Sequence, residues 1–507
     1  MRTEGSRNPS VFARRALLVF ALALLVRLFI LPFSMTTEAD VAVWVTQTEH
    51  WLQHPSLVPH EAWPPLQYYL IAIALLVGKD PVLAPIVLSM ILSSATAVAL
   101  YALVRREWEE VPALFVAGAW MFYPVSLHYS VMAVSENSFV FLVALSMLEL
   151  SKARDNDGGL RAALWAGLWL TLAGAIRFEG WVLIPLFGLL LWKKRTLLFA
   201  FLAVAALFPV AWMLRCYIQW GHPLYPVVST AHYGVLSGIN EGLTFHKQLK
   251  RAFYLPQVLF FGLTPLVSLM CIAGMLFQIT RKNRQRAWLI PCVGMSLVMV
   301  EEFVKGRLLV ILPRYSIVVG LLALPFAAEA YKEIVAKLRR PSMVSVFIIA
   351  SMIPFSYVRH VNSHVVAMAV PPNIEAVPRI SQRAQSISRA LNRQIRPGSD
   401  GVILDWWNWS ETGYVSLMTR MSFDRIYKMP GAVHQPLDTE ALAAFLNRNK
   451  SGVVLVAPQS RHIEIVRLEG HDVLKFRGFQ RELRLNKLSA EDGFVMYRYT
   501  TDDPGSR

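Results

Sequence analysis

The stretch Trp63-Pro64-Pro65-Leu66-Gln67-Tyr68-Tyr69-Leu70-Ile71-Ala72-Ile73-Ala74-Leu75-Leu76-Val77-Gly78 decides how the rest of the chain is laid out. Its apolar part, from Pro65, runs about 14 residues, short of the roughly 20 that a membrane-spanning helix needs. It opens on Trp, Pro and Tyr, which suits a helix lying at a membrane surface. The next apolar stretch, Ala84 to Val104, ends in Arg105 and Arg106. If residues 65–78 crossed the bilayer, these arginines would land outside. If they lie flat, the arginines land inside, as the positive-inside rule asks.

The flat reading brings the remaining segments into register. A first span, Ala16 to Phe33, follows Arg2, Arg7, Arg14 and Arg15 and is retained, because Arg27 interrupts the apolar run and no small-residue cleavage site follows. Further spans are expected at 84–104, 112–127, 139–150, 160–176, 181–192, 197–214, 258–279, 288–300, 316–330 and 343–357. The basic clusters at Lys152 and Arg154, Lys193 to Arg195, Arg281 to Arg286 and Lys332 to Arg340 then all fall inside. The expectation is a multi-spanning α-helical membrane protein of about 11 spans. Its N-terminus is cytoplasmic and everything after Arg359 lies outside.

Composition agrees: 507 residues, 55% of them hydrophobic and 17% charged, are too apolar and too long for one soluble core. The net charge of +16 sits in short clusters after apolar runs rather than in one basic surface, so nucleic acid is not an expected partner. The three cysteines, Cys216, Cys271 and Cys292, lack the spacing of a disulfide framework or a zinc site.

Past about residue 360 the pattern changes. Gly401 to Leu404, Gly452 to Val456 and Gly493 to Tyr497 read as short strands, with a helix over Thr439 to Asn447. Alternating strands and helices point to a small soluble α/β domain at 361–507, following a transmembrane domain at 1–360. It has no Gly-rich phosphate loop.

Polar residues concentrate at the predicted outer edge. The first outer loop holds Glu38, Asp40, His60 and Glu61; the second, His128, Tyr129, Ser135 and Glu136; the third, Arg177 and Glu179. Later come His222 in Trp220-Gly221-His222-Pro223-Leu224-Tyr225-Pro226, then Lys305, Arg307, Arg314 and Tyr315. Acids come early and cations largely late. A charge in an outer loop is ordinarily just solvated, Arg at a span end commonly snorkels, and loop histidines are more often structural than reactive. The combination has a further chemical meaning. Attack of an alcohol on an activated sugar needs a general base near the acceptor oxygen and cations near the departing phosphate. Arg suits phosphate because its planar fork donates two hydrogen bonds at once.

Thr37-Glu38-Ala39-Asp40 leading to Trp44, then Trp63-Pro64-Pro65-Leu66-Gln67-Tyr68-Tyr69, Gly221-His222-Pro223-Leu224-Tyr225-Pro226 and Pro313-Arg314-Tyr315, resembles the GT-C superfamily of membrane glycosyltransferases, in particular its protein O-mannosyltransferase and aminoarabinose-transferase-like group. The resemblance covers about residues 14–360. It implies an enzyme of hexosyl- or mannosyltransferase type in a bacterial or archaeal plasma membrane. A polyprenyl-phosphate sugar is the implied donor and a glycan, lipid or protein hydroxyl on the outer face the acceptor. Asp40 best matches the family's acidic motif as base, although the usual adjacent Asp-Glu is split here as Glu38-Ala39-Asp40, which keeps Glu38 as the other candidate. Arg314 and Tyr315, with Arg177, Arg307, Lys305, His128, Glu136 and His222, are the expected substrate-binding residues. A single displacement would invert the anomeric centre. No metal is required, and His60, Glu61 and Glu136 are the ligands available to a divalent ion. The rivals are a flippase or transporter of lipid-linked sugars without chemistry, and a non-catalytic membrane scaffold.

Overall fold

The structure, a computed structural model, describes residues 9–33, 39–58, 63–155, 157–229, 254–280, 286–305, 313–361, 382–396, 398–407, 409–430, 436–458, 460–468, 471–491 and 493–501. Up to residue 361 the elements are helical: α1 (Pro9–Ile30), α2 (Ala39–Gln53), α3 (Leu66–Gly78), α4 (Leu83–Glu107), α5 (Glu110–Met121), α6 (Pro124–Ser130), α7 (Ser135–Arg154), α8 (Gly159–Gly174), α9 (Glu179–Gly188), α10 (Arg195–Ala205) and α11 (Leu207–Trp220). After the residues outside the description come α12 (Tyr254–Gly262), α13 (Pro265–Thr280), α14 (Leu289–Lys305), α15 (Ser316–Ala323), α16 (Phe326–Glu333) and α17 (Pro341–Val361).

By length and composition, one described helix, α4, can cross a membrane unbroken, and three bent pairs would make four. Several predicted spans are therefore broken where the sequence reading ran them through. The segment 112–127 bends by 58° between α5 and α6, the segment 197–214 by 42° between α10 and α11, and the segment 258–279 by 112° between Pro256–Gly262 and α13. Proline explains the first and last, since it offers no N–H and forces the residue before it out of the helical region. Pro124 opens α6, and Thr264, before Pro265, takes φ 72°. A similar interruption at Leu324-Pro325 divides α15 from α16.

Small residues set how closely the helices approach. A β-carbon on Gly274 of α13 would lie 1.9 Å from the Phe326 carbonyl oxygen, so α13 and α16 touch backbone to backbone there. Ser93, Ser94 and Thr96 are buried on α4, and Ser146 of α7 donates to the Ala166 carbonyl of α8 at 2.9 Å.

Two polar clusters mark the ends of this bundle. Glu136 starts α7 and Arg154 ends it, which puts them about 27 Å apart at 1.5 Å per residue, close to the thickness of a hydrocarbon core. At the Arg154 end, Arg154 pairs with Glu107 at 2.8 Å, Arg106 with Asp155 at 3.2 Å and Arg286 with Glu329 at 3.4 Å. Trp108 also donates to Glu329, at 2.6 Å. These cations come from the clusters that the sequence reading placed on one side.

Helix α3 lies along the opposite end. Its first amide, Leu66, donates to Ala175, two residues from Arg177, at 3.0 Å. Asp80, just past its last turn, pairs with Arg420 of the C-terminal part at 3.4 Å. Both ends of α3 thus sit near the Glu136 end of the bundle. It buries Tyr68, Ile71, Ala72 and Leu75 and exposes Ile73, Leu76 and Val77. A two-faced apolar helix of this length suits a surface better than a span.

The C-terminal part carries helices α18 (Gln382–Gln394), α19 (Trp409–Met418) and α20 (Thr439–Arg448) and strands β1 (Gly401–Leu404), β2 (Ile426–Lys428), β3 (Ser451–Val456), β4 (Ile463–Leu468), β5 (His471–Phe476), β6 (Phe479–Glu491) and β7 (Phe494–Thr500). Among the described residues these strands form one mixed sheet in the order β2-β1-β3-β7-β6-β5-β4, parallel within β2-β1-β3 and antiparallel beyond. Ile403 and Val454 pack with Leu442 and Phe445 of α20 on one face, and Val402 and Val453 with Ile387 and Leu391 of α18 on the other. This explains why the central strands read as continuous apolar runs. Helix α19 packs on α2, and its Leu417 joins the core of the helical bundle.

Candidate functional site

Asp40 stands in the first turn of α2, where the partial positive charge of the helix N-terminus favours a carboxylate. Arg314 lies 274 residues further along, in the short 3-10 turn Pro313–Tyr315 that leads into α15. Its Nη2 donates to Asp40 Oδ2 in a short contact, and its Nε lies 3.2 Å from Glu136 Oε1. The guanidinium therefore bridges α2 and α7.

Glu136 in turn accepts from Arg177 Nη1 at 2.8 Å. Arg177 also donates to Ser135 Oγ and to Glu179, each at 3.0 Å. The Tyr315 ring lies 5.5 Å from the guanidinium carbons of both Arg177 and Arg314, so one aromatic ring serves two cations. Arg314 and Glu136 are buried at 3% exposure each, whereas the Asp40 side chain keeps 20%. Of the three, Asp40 alone is partly exposed. Tyr68 of α3 is buried beside it: burial first, then the Asp40 charge, pushes its hydroxyl well above the ordinary phenol value.

The cluster joins residues from the first, second, third and last predicted outer loops, and Ser135 and Glu179 complete it. His128 is buried on α6, which packs on the Pro313–Tyr315 turn, with its ring edge-on to Tyr129 at 5.2 Å. His222 is exposed, and its Nδ1 accepts from the Leu224 amide at 3.1 Å. That bond shapes its own turn, and among the described residues no hydrogen bond or ion pair joins His222 to the cluster. Lys305 ends α14. Glu38, His60, Glu61 and Arg307 lie outside the described residues.

The described cluster counts three carboxyl groups, Asp40, Glu136 and Glu179, against two guanidiniums, Arg177 and Arg314. Among the described residues no three His, Cys, Asp or Glu side chains converge as metal ligands, and Asp40 and Glu136 each already engage an arginine. What the arrangement can do is hold a partly exposed carboxylate next to a buried guanidinium. A proton can be accepted and negative charge stabilised within one small region.

Comparison with known proteins bears on the fold. Residues 62–216 match the family model of dolichyl-phosphate-mannose-protein mannosyltransferase. The fold is similar to that of ArnT from Cupriavidus metallidurans in the apo state, with TM-score 0.57 at 12% identity over 96% of this chain and 97% of that one. It is similar to the same protein bound to undecaprenyl phosphate, with TM-score 0.52 at 12% identity over 95% and 97%. The Archaeoglobus fulgidus oligosaccharyltransferase, tethered to an acceptor peptide, matches with TM-score 0.51 at 11% identity over 87% of this chain and 69% of that one. No curated protein matches the sequence. The chain thus has the fold of the GT-C membrane glycosyltransferases.

Proposed function

We propose that the chain is an integral-membrane glycosyltransferase that moves a sugar from a polyprenyl-phosphate donor to an acceptor hydroxyl on the outer face of the membrane. Residues 1–360 form the catalytic domain and residues 361–507 an extracytoplasmic domain. The observation that carries this reading is the contact of Arg314 with Asp40 and Glu136, which brings the predicted base and the predicted phosphate ligand together across 274 residues. The match to a dolichyl-phosphate-mannose transferase model and the likeness to a protein bound to undecaprenyl phosphate support the donor class.

In the proposed reaction Asp40 accepts the acceptor's hydroxyl proton as the oxygen bonds to the anomeric carbon. The bond from that carbon to the phosphate oxygen breaks, and polyprenyl phosphate leaves with the electron pair. A single displacement inverts the anomeric centre. Arg314 stabilises the charge that grows on the leaving phosphate, while Glu136 and Arg177 fix the orientation of its guanidinium. In the described cluster Arg314 is committed to Asp40, so a donor phosphate that engages Arg314 also loosens its hold on the base.

The test is release of polyprenyl phosphate from donor and acceptor in nanodiscs. Asp40→Asn should cut turnover at least about 100-fold, the lower range of a general base's contribution. Full activity in Asp40→Asn with loss in Glu38→Gln would move the base to Glu38. Translocation of donor without release in the wild type would favour a flippase.

A further inference from the structure

A cavity of about 310 Å³ lies in the C-terminal part and shares no lining residue with the Asp40 cluster. Asn392 and Ile395 line it at the end of α18, with Gly398 beyond, and Thr419, Arg420, Met421, Ser422 and Arg425 line it after α19. Among the described residues two arginines line it and no carboxylate does. Arg425 Nη1 is buried without a hydrogen-bond partner, a state that costs free energy unless something else accepts its proton. Arg420 takes φ 52°, a left-handed conformation that a side chain of this kind rarely adopts.

Two carbonyls of this segment already accept side-chain donors. Thr419 Oγ1 donates to the Ser416 carbonyl at 2.7 Å, and Asn392 Nδ2 to the Met418 carbonyl at 2.8 Å. Asp80 reaches Arg420 Nη2 at 3.4 Å. It also accepts from the Val82 and Leu83 amides at 2.8 and 2.9 Å, so it keeps its own partners if Arg420 turns away.

Asp80 is also what places the cavity. It sits at the turn between the flat helix α3 and α4, which under the proposed orientation lies at headgroup depth on the outer surface. Two guanidiniums there, with the Ser422 hydroxyl and the Asn392 amide beside them, match an anion carried on a hydroxylated group. The volume exceeds what a bare phosphate needs.

We propose that this cavity is a second anion site that binds a phosphate ester of a polyol or sugar at the membrane surface, with Arg425 and Arg420 as its cations. Two sources present this chemistry, a phospholipid headgroup and a phosphorylated acceptor glycan. Either would hold the C-terminal part against the surface from which the Asp40 site is reached.

The test titrates the full-length protein in detergent by calorimetry with inorganic phosphate, glycerol 3-phosphate, glucose 1-phosphate and short-chain phosphatidylglycerol, with short-chain phosphatidylcholine as the zwitterionic control. The phosphate esters should bind more tightly than inorganic phosphate. Arg425→Gln should weaken them at least tenfold, and the double variant with Arg420→Gln should abolish binding. Ser422→Asp leaves both guanidiniums in place and should also repel the anion, which guards against a misfolded Arg425 variant. Arg314→Ala should retain this binding, separating it from any phosphate held near Asp40. Preference for phosphatidylglycerol identifies the lipid source, and preference for the sugar phosphate the glycan source. Binding unchanged in Arg425→Gln and Ser422→Asp, or no binding of any ester by the wild type, overturns the proposal.

Discussion

Arg314 makes two contacts that a single point charge cannot reproduce, one to Asp40 through Nη2 and one to Glu136 through Nε. A lysine has one ammonium and must choose between them. Arg314→Lys is therefore expected to keep the fold but lose more than tenfold in turnover. Arg314→Ala should in addition lower thermal stability by about 1–3 kcal/mol, the penalty of leaving a partly buried group without its partner. Turnover and melting measured on both variants check this; equal activity in wild type and Arg314→Lys would show that the fork has no role. Further along α2, burial pushes the Glu49 carboxyl up to about 7 from an ordinary 4.5. Between those values the unfolded chain has released a proton that the folded chain still holds, so stability falls as pH rises from 4.5 through 7. Glu49→Gln removes the titration. It should melt higher than the wild type at about pH 8, and the gap should close below about pH 4.5. A gap that is constant with pH would assign the effect to packing instead.

Helices and strands differ in how much of them the sequence carried. The strands Gly401–Leu404 and Ser451–Val456 were legible because both their faces are covered, which leaves a continuous apolar run. Strands β4, β5 and β6 were not, since one face meets water and Lys475, Glu482, Arg484 and Lys487 interrupt them. Asp40, Glu136, Arg177 and Arg314 were legible as polar residues at span ends, but their pairing is a tertiary fact that no local pattern records. The bend at Thr264 was missed for a related reason. Pro265 signals a break, yet its 112° angle depends on what α12 and α13 pack against. Gly274 shows that packing directly, with α16's backbone where a β-carbon would sit. Gly274→Ala must push α13 and α16 apart and should cost about 1–3 kcal/mol, the usual range for overpacking. Thermal melting in detergent reads it, and a midpoint equal to the wild type's would mean that the two helices separate without loss.

At the scale of the whole molecule, the helix that carries Asp40 is also the helix on which the C-terminal part rests. Helix α2 packs on α3 from one side and α19 from another, and Leu417 of α19 enters the core of the helical bundle at 7% exposure. The Arg420–Asp80 pair ties the same segment to the turn after α3. Loss of this docking should therefore reach the Asp40 site through α2, without any change to a residue of the cluster. Leu417→Asp forces a charge into an apolar contact while leaving the sheet's own core, built from Ile403, Val454, Leu474 and Tyr499, untouched. The expected result is faster hydrogen exchange in both α2 and α19, unchanged exchange in β3 and β7, and lower turnover at saturating donor. If α2 exchanges at the wild-type rate while α19 opens, the C-terminal part is carried by the chain without bracing the helix, and Asp40 owes its position to Arg314 and α3 alone.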